Sequence, residues 1–209
     1  MKIDLISDLH GFKPVLEGGD LLIIAGDLTA RDKAPEYHDF LRWLSRLDYK
    51  KKLIIGGNHD TYLMKWESHK LCDSIEYLFD SGTEYEGLKI WGSPWTATFR
   101  GQNPECMAFS LDIDTQLMEK WALIPDDIDI LVTHTPPQGV LDKCSRRRVG
   151  CHHLLNRVLE IKPKIHVFGH IHECGGQQTK IEGLDTTFVN AAYVNKYYEP
   201  VHKAIRIEL

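Results

Sequence analysis

Six short runs of apolar residues, rich in β-branched side chains, constrain the fold of this chain more than any other feature. They cover residues 2–7, 20–26, 52–57, 88–93, 129–134 and 164–170. Because most of them are apolar at nearly every position, they predict strands that are buried on both faces, as in a layered α/β protein. A seventh run, 204–209, alternates between apolar and polar residues and predicts an edge or half-exposed strand.

Amphipathic segments lie between these runs and predict helices. They cover residues 35–48, 115–125 and 151–163, with a weaker pattern at 61–73. Pro35 suits a first helical turn, and Asp114 suits the N-cap of the second helix. Because strands alternate with helices and no linker or repeat interrupts them, we expect a single layered α/β domain over residues 1–209.

Five of the predicted strands end in residue types that bind metals. The side chains concerned are Asp8, His10, Asp27, Asn58, His134, His170 and His172. In layered α/β sheets, ligands bind at the carboxyl ends of the strands. The i,i+2 spacing within two pairs would point both side chains of each pair the same way if those segments are extended. Gly26, Gly57 and Gly169 precede candidate ligands and are expected to allow tight turns there.

The number and chemistry of these side chains favour two metal ions. A strand-end Asp or Asn taken alone is more often a turn or cap residue, but many unpaired polar groups converging at one edge would be costly. Two carboxylates, one amide and four imidazoles are too many for one ion and suit two if a carboxylate bridges them. Since the set has no sulfur, we expect Mn²⁺, with Fe, Zn²⁺, Co²⁺ or Ni²⁺ as alternatives.

The ordered motifs "DLH", "GD", "GNHD", "TH" and "GHIH" resemble those of the calcineurin-like metallophosphoesterase superfamily, from residue 8 to about 195. The stretches "HTPP", "RVGC", "KIHVFGHIHE" and "VNAA" resemble its MPPED-like branch, which is similar to class III cyclic-nucleotide phosphodiesterases. The resemblance implies an αββα-type sandwich with the metal site at the carboxyl ends of the strands.

The resemblance also implies a role for each candidate residue. It assigns two metal sites: Asp8, His10 and His172 at one, and Asn58, His134 and His170 at the other. Asp27 would bridge them. His59 would not bind metal but would contact the phosphoryl oxygen or protonate the leaving group, and Asp60 would orient His59.

The implied reaction is hydrolysis of a phosphodiester, such as a cyclic or short nucleotide, by a hydroxide that bridges the two metals. Asn58, His59 and Arg148 are the expected substrate contacts, because the guanidinium of an arginine binds phosphate through two bonds. The loops 93–112 and 136–150 would set the width of the pocket. The alternatives are a phosphomonoesterase or nuclease with the same site, or a non-catalytic binding scaffold.

Composition limits the cellular context and the partners. The net charge of −5 argues against broad nucleic-acid binding, because such binding depends on cationic side chains that neutralise the phosphates. Five cysteines without a CxxC motif favour a reducing compartment. Asp4 and Asp8 interrupt what would be the apolar part of a signal peptide, and no apolar run reaches the roughly 20 residues that span a bilayer. We therefore expect a cytoplasmic protein with no membrane contact and a small phosphate-ester substrate, and the oligomeric state stays open.

Overall fold

The computed structural model describes residues 1–66, 69–98, 101–111 and 115–209. Asp114, the predicted N-cap, lies outside these ranges, as do parts of the predicted 61–73 helix and of the 93–112 loop. Three α-helices lie in the described residues, α1 at Ala34–Arg46, α2 at Gln116–Trp121 and α3 at His152–Ile161. Short 3-10 helices cover Thr61–Lys65, Pro104–Cys106 and His172–Cys174.

Sixteen strands are found in the same ranges. They are β1 Lys2–Ile6, β2 Gly19–Ala25, β3 Tyr49–Ile55, β4 His69–Cys72, β5 Ile75–Tyr77, β6 Ser81–Tyr85, β7 Leu88–Ser93, β8 Thr96–Ala97, β9 Ser110–Leu111, β10 Ile130–Thr133, β11 Lys143–Cys144, β12 Arg147–Arg148, β13 Ile165–Phe168, β14 Gln177–Thr179, β15 Thr187–Asn190 and β16 Ile205–Glu208.

Two six-stranded sheets form the centre of the molecule. The first has the order β16-β1-β2-β3-β5-β4, and the second has the order β14-β15-β13-β10-β7-β6. The strands β1, β2 and β3 are parallel in the first sheet, and β7, β10, β13 and β15 are parallel in the second. All six apolar runs of the sequence are strands here, and all lie in these parallel blocks.

One apolar core lies between the two sheets. Ile3, Leu5 and Ile23 of the first sheet pack in one cluster with side chains such as Ile130 and Val167 of the second. Both faces of a central strand are therefore largely apolar, because one faces the other sheet and the opposite face packs against helices. The result is the layered αββα sandwich that the sequence predicts.

The outer faces of the sheets are covered by the helices. In the first sheet, Leu22 and Ile24 share a cluster with Phe40 and Leu44 of α1. These two α1 residues and Tyr37 are buried along one stripe of the helix, as its periodicity predicts. Helices α2 and α3 contact each other and cover the second sheet.

Two segments predicted from the sequence have different outcomes in the structure. The helix expected at 61–73 is wrong: a 3-10 helix ends at Lys65, and residues 69–72 form strand β4. The alternating run at 204–209 is confirmed as an edge strand, since β16 pairs with β1 alone in the sheet order. Among the described helices, none combines the length and apolar character needed to cross a bilayer.

Candidate metal centre

The candidate ligands leave the sheets through strained turns. Strand β1 ends at Ile6, and Asp8 and His10 have φ angles of 51° and 42°. Asp27 and His170 also have positive φ, at 53° and 67°. A non-glycine residue in this region costs about 1–2 kcal/mol, and such residues cluster at functional sites. The two i,i+2 pairs therefore do not lie in extended chain, and the predicted reason for their pairing is wrong. Asp8 and His10 still offer ligand atoms within 4.8 Å of each other, whereas His170 and His172 face different partners.

Backbone hydrogen bonds hold two of these turns against each other. The amide of Asp8 donates to the carbonyl of Gly26 at 3.0 Å, and the amide of His10 donates to that of Asp27 at 3.0 Å. The turn after β1 is thus fixed to the turn after β2. The carboxylate of Asp8 in turn accepts the amide of His170 at 3.0 and 3.1 Å, which ties the first sheet to the second.

Asp8, His10 and His172 form the first ligand group. The Nε2 of His172 lies 3.1 Å from Oδ1 of Asp8 and 3.3 Å from Nε2 of His10. Asp8 is fully buried, His10 is nearly so, and His172 is half-buried. One ligand atom from each of the three lies within 4.8 Å of the others. This spacing suits coordination of one ion.

Asn58, His134 and His170 form the second ligand group. The Oδ1 of Asn58 lies 3.0 Å from Nε2 of His134 and 2.9 Å from Nδ1 of His170. The amide nitrogen of Asn58 donates to the carbonyl of Cys106, so its oxygen must face the two imidazoles. The group connects the end of β3 with the ends of β10 and β13, on the other sheet.

The outer partner of His134 in the second group fixes the proton on one of its ring nitrogens. Nδ1 of His134 lies 2.8 Å from the carbonyl of Ala25, which can only accept, so this nitrogen carries a proton. Nε2 of His170 lies 3.4 Å from the hydroxyl of Thr96. A hydroxyl can donate or accept, so both tautomers of His170 fit this contact. Nε2 of His134 then faces the Asn58 oxygen, as acceptor against acceptor, unless a proton or a cation lies between them.

Asp27 lies between the two groups. Its Oδ2 is 3.7 Å from Nε2 of His10 and 3.4 Å from Nε2 of His134. Its Oδ1 accepts the backbone amide of His59 at 2.9 Å. Asp27 is 1% exposed, so its charge is screened little by solvent. This is the position that a bridging carboxylate requires.

The electrostatics of the cluster favour a positive charge at its centre. Burial lowers the pKa of His10 to about 4 and that of His170 to about 3, so both rings are neutral at pH 7. Burial alone would also lower the pKa of His134, but the carboxylate of Asp27 outweighs it and raises this pKa to about 10. A set of buried oxygen and nitrogen acceptors that face one another fits divalent cations.

The three glycines before the ligands serve mainly to make room. Gly26 does adopt a positive φ, 98°, as expected for a tight turn. Gly57 and Gly169 do not. A Cβ atom on Gly57 would lie 2.3 Å from Oδ1 of Asp27, and one on Gly169 would lie 1.9 Å from Oδ2 of Asp8. Close approach, rather than backbone freedom, requires glycine at these two positions.

We therefore expect Gly169→Ala to displace Asp8 from the amide of His170 and to lower the free energy of unfolding by about 1–3 kcal/mol, as other overpacked sites do. Thermal unfolding, together with metal analysis after reconstitution, measures the effect. Gly82→Ala is the matched control, because a Cβ at Gly82 would meet only ordinary contacts of 3.4 Å. Equal stability of the two variants would contradict the conclusion that Gly169 is required to make room for Asp8.

His59 and Asp60 follow Asn58 but have different surroundings. The ring of His59 is partly exposed, with its centroid 4.7 Å from that of His10 and its Nδ1 3.4 Å from the thiol of Cys106. A ring nitrogen of His59 also lies within 4.8 Å of ligand atoms of His10 and Asp27. Distance alone therefore does not separate His59 from the ligands.

Asp60 contacts the backbone rather than the ring of His59. It is fully buried and accepts the amides of Gly57 at 2.8 Å and Leu28 at 3.1 Å, and the hydroxyl of Tyr37 at 2.9 Å. Burial, together with the charge of Asp27, raises its pKa to about 7. Through these bonds Asp60 holds together the loops that carry Asp27 and Asn58, and its expected role in orienting His59 stays a prediction.

Arg148 is held in place by its own loop. Its Nη1 donates to Oδ1 of Asp142 at 2.9 Å and to the carbonyl of Gly139 at 2.8 Å. The buried Asp142 also accepts the amides of Gly139 and Gly150, so this ion pair closes the 136–150 loop. The guanidinium is still partly exposed, and substrate contact by Arg148 stays a prediction.

Sequence reasoning missed two aromatic residues near the site. Tyr37 lies on α1 and its hydroxyl donates to Asp60. The apolar stripe of that helix predicts that Tyr37 is buried but does not predict this hydrogen bond. Tyr198 packs against the rings of His10 and His172, with centroid distances of 4.7 and 5.2 Å. Nothing in the local sequence of Tyr198 distinguishes it from the neighbouring tyrosines at 193 and 197.

This chain is similar to known proteins over most of its length. A family model described as calcineurin-like phosphoesterase matches residues 1–174. Human metallophosphoesterase domain-containing protein 1 is 38% identical over 234 residues, which cover 98% of this chain and 69% of the human protein. The UPF0046 protein K07C11.7 of Caenorhabditis elegans is 34% identical over 214 residues, covering 94% of this chain and 71% of the worm protein.

A solved structure shares the fold at low sequence identity. The phosphopantetheinyl hydrolase of Mycobacterium tuberculosis superimposes with a TM-score of 0.62 at 14% identity, over 99% of this chain and 95% of the mycobacterial one. The fold is therefore found in another chain whose sequence is very different from this one.

Proposed function

The chain belongs to the calcineurin-like phosphoesterase family, which makes it a metal-dependent phosphoester hydrolase, and from this premise we propose that it cleaves phosphodiesters, with short or cyclic nucleotides as substrates. The observation that carries the proposal is the convergence of seven acceptor-bearing side chains from five strand ends on one buried centre.

The family implies two divalent metal ions, and we assign the two ligand groups to them. Asp8, His10 and His172 would hold one ion, Asn58, His134 and His170 the other, and Asp27 both. The spacing of the acceptors supports this assignment. When bound, such ions acidify water and offset negative charge on the phosphoryl oxygens. The mixture of oxygen and imidazole donors without sulfur supports Mn²⁺ as the preferred metal.

His59 is the side chain that we assign to the substrate. Its backbone amide is fixed by Asp27, and its Nδ1 faces the thiol of Cys106, which leaves Nε2 for a ligand. From there it would contact a phosphoryl oxygen or give a proton to the departing oxygen. Asp60 and Tyr37 support this role indirectly, because they fix the loop that carries His59.

The charge immediately around the candidate ligands supports a diester rather than a monoester, with Arg148 as a predicted substrate contact farther out in the 136–150 loop. Within the described residues, no lysine or arginine forms a hydrogen bond or ion pair with the seven candidate ligands or with His59. A phosphomonoester carries up to two negative charges at pH 7, and sites for it gain from a cationic side chain in addition to the metals. A diester carries one charge and needs no such partner.

The test compares bis-p-nitrophenyl phosphate with p-nitrophenyl phosphate. The protein is stripped with a chelator, reconstituted with Mn²⁺ and analysed for metal before kinetics. We expect two Mn²⁺ per chain and a kcat/KM at least about tenfold higher for the diester, which corresponds to ~1.4 kcal/mol in the barrier. A preference for the monoester would make the chain a phosphomonoesterase. Full metal uptake without turnover of either ester would make it a binding scaffold.

A further inference from the structure

Tyr198 occupies a loop that lies beyond the region matched by the family model. This loop, residues 194–200, connects β15 to β16, and the match ends at residue 174. An isolated antiparallel bridge between Val194 and Pro200 closes the loop. The side chain of Asn195 accepts the amides of residues 197 and 199 at 2.8 and 3.1 Å and donates to the Glu199 carboxylate at 2.8 Å. The loop is therefore internally fixed.

The conformation of Tyr198 is unusual. Its φ is 62°, in the left-handed region that an aromatic residue rarely adopts. Its amide donates to the carbonyl of Asn195 at 2.8 Å, which holds this conformation. The backbone is thus constrained to turn this one side chain toward the metal centre, whereas the ring of its neighbour Tyr197 lies under the ammonium of Lys196 and is 70% exposed.

The ring of Tyr198 contacts three histidines of the site with its surface. Its centroid lies 4.7 Å from that of His10, 5.2 Å from that of His172 and 6.4 Å from that of His59, all in edge-to-face geometry. It therefore touches the first ligand group and the residue assigned to the substrate. Yet Tyr198 is still 48% exposed, and its hydroxyl has no hydrogen-bond partner among the described residues.

We propose that Tyr198 is a specificity-determining residue whose exposed ring surface contacts the organic group of the phosphoester and favours a planar aromatic one. The assignment rests on the proposed function in that the substrate phosphate is taken to lie at the metal centre. A group attached to a phosphate at that centre, on the side of His59, meets the ring of Tyr198. An exposed aromatic ring gains, beyond the burial of surface area, from offset-stacked or edge-to-face contact with another aromatic ring.

The test measures equilibrium binding of three phosphonates. In each of them a phosphorus–carbon bond replaces the ester link, so the protein cannot hydrolyse them. Phenylphosphonate and cyclohexylphosphonate have similar size and differ in planarity, and methylphosphonate reports on the metal centre alone. Calorimetric titration into the Mn²⁺-loaded protein gives each Kd. We expect Tyr198→Ala to raise the Kd of phenylphosphonate about 2- to 12-fold, the range for loss of an aromatic pair. The Kd of methylphosphonate should change less than about twofold, and metal content should not change.

Two further variants separate the ring from its surroundings. Tyr198→Phe should keep the preference for phenylphosphonate over cyclohexylphosphonate, since the ring remains. Tyr197→Ala is the matched control and should also keep it. The proposal is overturned if Tyr198→Ala weakens all three ligands equally, changes none of them, or loses metal, or if Tyr198→Phe is as defective as Tyr198→Ala.

The outcome is independent of whether the chain is a diesterase. If the wild-type protein shows the planar preference but hydrolyses no diester, the proposed function fails and the assignment of Tyr198 stands. If it hydrolyses diesters but binds phenyl- and cyclohexylphosphonate equally well, the assignment of Tyr198 fails and the proposed function stands.

Discussion

Asp27→Asn is expected to abolish stoichiometric binding of both metal ions and to lower kcat by at least roughly a thousandfold, because the charge stabilisation that the ions supply is worth several kcal/mol. The Oδ2 of Asp27 faces His10 of one ligand group and His134 of the other, at 3.7 and 3.4 Å. The amide is nearly isosteric but removes the negative charge shared by both groups. It can still accept the amide of His59 through its remaining oxygen, so the loop after β3 should be preserved.

Metal analysis after reconstitution with excess Mn²⁺, followed by turnover of bis-p-nitrophenyl phosphate, measures this effect. Asp20→Asn is the matched control, because Asp20 lies near the opposite end of the same strand and pairs with Lys50 at 2.7 Å. The control should bind two ions and keep its activity. An Asp27→Asn protein that retains two ions per chain would refute the bridge, and one that retains a single ion would restrict Asp27 to one site.

His59→Ala is expected to lower kcat roughly 100- to 10,000-fold, the usual contribution of a general acid, while both metal ions remain bound. His59 lies close enough to His10 and Asp27 to be a ligand by distance alone, so the metal content of this variant decides its role. His38→Ala is the control, since His38 is exposed on α1, on the outer face of the first sheet. Loss of metal in parallel with activity would make His59 a ligand.

The leaving group separates the two roles that His59 could have toward the substrate. If His59 protonates the departing oxygen, the defect of His59→Ala should be small for a p-nitrophenyl ester and large for an alkyl or nucleoside ester, which leaves poorly without a proton. If His59 contacts a phosphoryl oxygen instead, the defect should be similar for all leaving groups. Steady-state kinetics on one ester of each kind, for wild type and variant, distinguish these outcomes.

Much of the fold could be predicted because the central strands are buried on both faces. Leu21, Leu22, Ile23 and Ile24 of β2 are all fully buried, and only a continuous apolar run satisfies such an environment. Strands with one exposed face carry a weaker signal. Strand β6, Ser81–Tyr85, alternates between half-buried and exposed residues and was not recognised. Helix α2 is shorter than its apolar pattern, because its last apolar residues pack as a turn after Trp121.

The sequence also identified which side chains meet at the centre, but for a partly wrong reason. It assumed an extended segment for Asp8 and His10 at the strand end, whereas both residues have left-handed backbone conformations there. It treated Gly57 and Gly169 as turn residues, whereas their missing Cβ atoms make room for Asp27 and Asp8. The space beside each glycine is set by side chains from distant parts of the chain, so the neighbouring sequence does not predict it.

The order of apolar runs and the polar residues at their ends determined, from the amino-acid sequence alone, a layered α/β fold with acceptor groups at the carboxyl edge of its strands. The tertiary structure decided which sheet supplies each candidate ligand: those that follow β1, β2 and β3 come from one sheet, and those that follow β10 and β13 come from the other. It also decided that Asp60 supports a loop and that Tyr198 packs against His10 and His172. A strand buried on both faces can be predicted from its apolar residues, whereas the distance between side chains of two different sheets is set only when the chain folds.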